Sequence, residues 1–156
     1  MSVHTHPALI EWLAKTPVAH AFNEADPWIF AAVMSIHLLG IALAFGTSLI
    51  LDFRLVGIGL RASPAATIAK ELQPYLLAGL SVALPSGFWL FIADVLKFWA
   101  NPVFKTKLAL LVVITVAQTW LLYGAKNGAA RARPVAALTA LTWFATIIAG
   151  RLIGLI

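Results

Sequence analysis

PWIFAAVMSIHLLGIALAFGTSLILDFRLVGIGL, residues 27–60, is an apolar run with a single imidazole inside it. Trp28 to Leu51 is 24 residues without a formal charge. At about 1.5 Å rise per residue that length crosses a hydrocarbon core of roughly 30 Å. The run therefore reads as a transmembrane helix, and His37, nine residues past Trp28, lies inside the membrane. An imidazole is too short to snorkel out as a lysine does, so it needs a partner there. Gly40, Ala44 and Ser48 follow it at helical spacing and form a low, narrow face beside it. Such a face admits another helix or a flat ligand. A neutral imidazole with one nitrogen held by a hydrogen bond leaves the other free to ligate iron or copper. The plainer alternative is a histidine hydrogen-bonded across a helix interface.

Of the 156 residues, 62% are apolar and 11% charged, which is membrane rather than soluble usage. The expected partner is the lipid bilayer. No cysteine is present, which excludes disulfides, thiolate ligands, iron-sulfur clusters and covalent haem attachment. The net charge of +5 is dispersed over short loops rather than gathered in one patch, so nucleic-acid binding gains no support.

Residues 1–26 lack the basic start, apolar core and small-residue cleavage site of a signal peptide. Pro7 to Phe22 mixes Leu9, Ile10, Leu13, Val18 and Phe22 with Glu11, Trp12, Lys15 and His20, an amphipathic surface segment broken at Pro17. Asp26-Pro27 then starts the first span with a capping carboxylate and a proline at the first helical position. Asp52 and Arg54 stand where the apolar run ends and read as interfacial anchors. The second apolar run, Leu72 to Ala93, contains Pro85-Ser86-Gly87, which predicts a kink that frees the Ser81 carbonyl. Lys97, Phe98 and Trp99 suit an interface, and Asn101-Pro102 opens the third span, on which Lys107 and Gln118 share a face. Gln118 is deep in its run and needs a hydrogen-bonding neighbour or ligand. Gly124, Lys126, Gly128, Arg131 and Arg133 make a basic turn, and the last helix repeats Thr142, Thr146, Gly150 and Gly154 as a small-residue seam next to Arg151. That seam permits a homo-oligomer, or it serves inside the monomer.

The expected fold is an all-α integral membrane four-helix bundle, residues 27–156, behind the amphipathic segment 1–26, with spans at about 28–51, 72–93, 103–125 and 134–156. Six basic residues (Arg54, Arg61, Lys70, Lys126, Arg131, Arg133) fall in loops one-to-two and three-to-four, against five on the other side (Lys15, Lys97, Lys105, Lys107, Arg151). The positive-inside rule then favours periplasmic termini in a bacterial inner membrane. His37, Lys107, Arg151 and His20 belong to one side of that membrane.

These parts match what a b-type haem needs. His37 ligates iron, Gly40 clears space for the porphyrin, and Lys107 and Arg151 neutralise the propionates, with Gln118 on the Lys107 face. His20 becomes a second metal ligand only if its segment folds over the pocket. Copper is the competing metal, with Met34 three residues before His37, and nothing resembles a phosphate loop, hydrolase elbow or zinc motif.

His37-Leu38-Leu39-Gly40, Asp52-Phe53-Arg54-Leu55-Val56-Gly57, Asn101-Pro102-Val103-Phe104 with Lys107-Leu108, and Gly150-Arg151 resemble an uncharacterised family of small bacterial four-helix membrane proteins, from about Trp28 to Arg151. More distantly, the chain is similar to the four-helix, oxygen-independent protoporphyrinogen oxidases and to membrane parts of copper-resistance proteins. His37 and Lys107 fall where the oxidase family has its helix-one histidine and the lysine that opens helix three, with bound haem b. Asp52-Phe53-Arg54-Leu55 replaces the proline-arginine-leucine pattern of that family, so the resemblance implies haem more than it implies the oxidase activity. The expected function is a haem b protein passing electrons, with quinone or a partner redox subunit, and any enzyme activity would be that of an oxidoreductase. A non-catalytic membrane subunit or anchor, copper or other metal handling or transport, and a protoporphyrinogen-oxidase-like enzyme are the alternatives.

Overall fold

The computed structural model describes residues 7–59, 62–126 and 132–153, all helix and short connections with no strand among them. Arg61, Gly128, Arg131 and Gly154, and residues 1–6 of the N-terminal segment, lie outside the described residues, as does the side chain of Lys126. The elements are α1 (Ala8–Ala14), α2 (Pro17–Asn23), α3 (Pro27–Val56), α4 (Ala65–Ala93), α5 (Val95–Ala100), α6 (Pro102–Lys126) and α7 (Ala132–Ile153). Four of them, α3, α4, α6 and α7, are long and apolar enough to cross a membrane. Mid-helix Leu39, Val112 and Leu141 are 71%, 64% and 68% exposed, an outward apolar surface suited to lipid rather than water. The chain is an all-α, multi-pass membrane protein.

Local chemistry sets the helix ends. Asp26 caps α3 through Oδ1, which accepts from Trp28 N at 2.9 Å, and Pro27 occupies the first turn. At the other end Gly57 adopts a left-handed φ of 97°, and the amides of Gly57 and Ile58 close onto Phe53 O at 3.0 and 2.8 Å. Thr16 caps α2 across the predicted break at Pro17. Asn101 Oδ1 accepts from Val103 N at 2.9 Å at the start of α6.

Several boundaries differ from the sequence expectation, among them the end of α3, which runs five residues past Leu51 to Val56. The second span begins at Ala65, seven residues before Leu72, because Lys70 and Glu71 are exposed on an amphipathic first stretch that continues the helix outside the apolar run. It also runs through both Pro74 and Pro85. The aromatic connection after Ala93 forms the short helix α5, with Lys105 Nζ 5.2 Å from the centre of the Trp99 ring.

The four spans close a ring in which α3 packs most extensively on α4, α4 meets α6, α6 meets α7, and α7 returns to α3. The closeness of α3 and α4 comes from two glycines. A Cβ at Gly40 would stand 2.8 Å from Ala83 N, and one at Gly79 would stand 2.5 Å from Ala44 N. Backbones meet there with no side chain between them. Ala44, Leu76, Ile114 and Trp143, one from each span, fill the centre. Outside the ring, α1 and α2 lie against α4 and α5, with Phe22 stacked on Trp89 at 4.3 Å between ring centres.

Candidate functional site

His37 faces α4 from the upper third of α3. Its Nδ1 lies 2.9 Å from Ala83 O and 3.1 Å from Ser86 Oγ. A carbonyl oxygen only accepts, so the proton sits on Nδ1 and is shared with the Ser86 hydroxyl, which itself donates to Val82 O. Nε2 is then the nitrogen with the free lone pair, and no described residue donates to it. Gly87 presents bare backbone to the ring. The Pro85-Ser86-Gly87 triplet thus serves the histidine directly: a serine acceptor and a glycine at the two positions that face it. Sequence reading marked that triplet as a kink and missed Ala83, Ser86 and Gly87 as partners of His37.

Lys107 is half-buried near the start of α6. Its Nζ would lie 3.5 Å from a Cβ at Gly150, so the last turn of α7 leaves room for the lysine stem. Arg151 follows Gly150 and is exposed. His37, Lys107 and Arg151 therefore occupy the same end of the bundle.

Three other expected site residues are elsewhere or serve differently. Gly40 is one turn below His37, but its open side is filled by Ala83 and Val82 of α4, so it supports a helix contact and offers no clearance to a flat ligand. His20 is exposed on α2 and borders a hollow with Ala14, Asn23 and residues 92–96. Ala93 in that hollow is six residues beyond Gly87, about 9 Å along α4, and no described contact joins His20 to His37. Gln118 is buried 11 residues below Lys107, about 16 Å along α6, where Nε2 donates to Asp52 Oδ1 at 3.4 Å. It belongs to the opposite half of the bundle. Met34 is half-buried one turn above His37.

Asp52 is the larger departure. An interfacial anchor would be exposed, yet Asp52 has 0% exposure, because α3 continues to Val56 and both α6 and α7 cover this side of it. The sequence signal was a lone acid at the end of an apolar run, with a lone glutamine deep in another. Nothing in either run says that the two meet. Among the described residues no three His, Cys, Asp or Glu side chains gather as a metal site. The seam threonines Thr142 and Thr146 are buried and donate to their own helix at Leu138 O (2.7 Å) and Thr142 O (2.8 Å), which hides their hydroxyls while the small side chains pack.

A family model described as a family of unknown function (DUF6644) matches residues 10–156. Neither a curated protein nor a solved structure matches the chain.

Proposed function

The chain belongs to the DUF6644 family, and from that premise we propose that it binds a b-type haem through Nε2 of His37 and passes electrons in the bacterial cytoplasmic membrane. The observation that carries this reading is the anchoring of Nδ1–H on Ala83 O at 2.9 Å, which sets the tautomer and leaves Nε2 as a lone-pair donor within the apolar span. The carbonyl and the Ser86 hydroxyl also fix the plane of the ring, so little rotamer freedom is left to lose on ligation. Lys107 and Arg151, at the same end, would hold the propionate carboxylates of the haem. Bound there, haem supplies a one-electron carrier.

Within the spans, His37 is the residue that would hold the haem iron. His37 is the only histidine of the sequence that falls within the four spans. A second copy of the chain or a redox subunit would be able to supply a further ligand to the haem. Quinone, dissolved in the same bilayer, is the small-molecule electron partner of the reading. Periplasmic termini put the His37 end of the bundle on the outer side of the membrane.

The test is the visible spectrum of detergent-purified protein from haem-replete cells, oxidised and then dithionite-reduced. A Soret band with sharpened reduced bands in the wild type, absent from a folded His37→Ala variant, supports the reading. A colourless wild type ends it. The bond from His37 to Ala83 favours a second reading, a non-catalytic membrane subunit or anchor in which the histidine only ties α3 to α4. A colourless, folded wild type that loses thermal stability on His37→Ala selects it. Copper handling would have to use Met34 with His37, and metal analysis of Met34→Leu beside His37→Ala checks that.

A further inference from the structure

The other half of the bundle holds a polar pair that the haem reading does not use. Asp52 on α3 is fully buried, with Gln118 of α6 facing it, and the buried Thr139 hydroxyl of α7 donates to Val135 O and Ala136 O of its own helix. Gln118 Nε2 donates to Oδ1 at 3.4 Å. Asp52 Oδ2 and Gln118 Oε1, both buried, receive no hydrogen bond at all. Two adjacent acceptors without a donor are costly in an apolar bundle, and an unpaired carboxylate there is costlier still.

Among the described residues no neighbouring cation relieves the charge. Arg54, two residues on along α3, donates from Nε to Ser63 O at 2.9 Å, and Arg133 of α7 donates to Val56 O at 2.7 Å. On α4, Lys70 and Glu71 are exposed, and Tyr123 of α6 is exposed as well. Among the described residues, nothing charged faces the carboxyl.

One proton resolves both vacancies. On Oδ2 it turns that oxygen into a donor for Gln118 Oε1 while Gln118 Nε2 keeps donating to Oδ1, an acid and an amide paired through two bonds. We propose that Asp52 and Gln118 form a reversible proton-binding site in the half of the bundle remote from His37. Its proton exchanges with the membrane side on which α3 ends, four residues on at Val56. About 22 Å of α3 separates it from His37, 15 residues earlier, so the site stands or falls independently of haem.

Infrared spectroscopy of the purified full-length protein, in water and in deuterium oxide, tests the site. The expected result is a protonated-carboxyl carbonyl band that persists at pH 7, moves in deuterium oxide, and disappears in Asp52→Asn. That variant mimics the neutral acid and should keep the wild-type thermal midpoint. Gln118→Met, which removes the acceptor, should shift the band's frequency, and an unshifted band in that variant overturns the pairing whether or not Asp52→Asn folds. Absence of the band from folded wild type at pH 7 overturns the proposal. A thermal midpoint that rises when sodium replaces choline in the wild type but not in Asp52→Asn also overturns it, in favour of a cation site.

Discussion

The Cβ that Gly87 lacks would stand 2.7 Å from Cε1 of His37 and 3.3 Å from Nδ1, so the imidazole lies in the space that a side chain on α4 would otherwise fill. The α3 histidine and the α4 glycine are one device. Gly87→Ala should therefore push the ring away from Ala83 O while the helices stay formed. The expected loss is about 1–3 kcal/mol from overpacking and, if His37 holds haem as proposed, a fall in bound pigment per mole of protein. Denaturant titration and the Soret-to-protein absorbance ratio check the two effects separately. Unchanged pigment with unchanged stability would show that the ring does not rest on Gly87.

Gly79 and Gly46 make a controlled comparison within the same bundle. A methyl at Gly79 meets Ala44 backbone at 2.5 Å and Gly40 O at 2.9 Å, all of them atoms that cannot swing aside. A methyl at Gly46 meets nothing within 4 Å. Gly79→Ala should cost about 1–3 kcal/mol by forcing α3 and α4 apart. Gly46→Ala should cost nothing, since alanine is the better helix former. Equal thermal midpoints for the two variants would refute the close approach.

Trp143 and Ser48 separate packing from hydrogen bonding. The indole Nε1 donates to Ser48 Oγ at 2.9 Å, and both residues are buried where the four spans meet. Trp143→Phe removes the bond and keeps most of the volume, and should cost about 0.6 kcal/mol, the usual size of such a bond between membrane helices. Trp143→Ala leaves a cavity as well and should cost about 3–5 kcal/mol. Unfolding free energies in detergent with graded denaturant measure both. A larger loss for phenylalanine than for alanine would contradict the assignment.

Features governed by neighbours along the chain could be read from the sequence. Asp26-Pro27, the break at Pro17 and Asn101-Pro102 each act through local bonds, and α3, α2 and α6 begin where those residues predict, while hydropathy marks four helices long enough to cross a membrane. Features that depend on which helix lies beside which could not. Gln118 needs a partner by its depth alone, but that the partner is Asp52 follows only from α3 and α6 sharing the inside of the ring. Gly40 is low beside His37 in any arrangement, and only the packing of α4 against it decides that a helix rather than a ligand takes that space. His37 itself was visible as an intramembrane imidazole. Its tautomer was not, since that is set by a carbonyl 46 residues away.

Lys107 and Arg151 were expected to act alike, and the structure separates them. Lys107 is half-buried, under Gly150 and near His37, whereas the Arg151 side chain is exposed. A cation inside the bundle is screened weakly by salt, and an exposed one is screened within about 10 Å at 0.1 M ionic strength. If both serve haem carboxylates, Lys107→Gln should lower pigment retention at every salt concentration. Arg151→Gln should lower it only at low salt, and by less. The apoproteins should unfold alike, because neither cation forms an ion pair within the described residues. Absorbance of washed samples across a salt series measures this contrast. An Arg151→Gln loss that equals or exceeds that of Lys107→Gln would move the carboxylate contacts outward, away from the His37 ring.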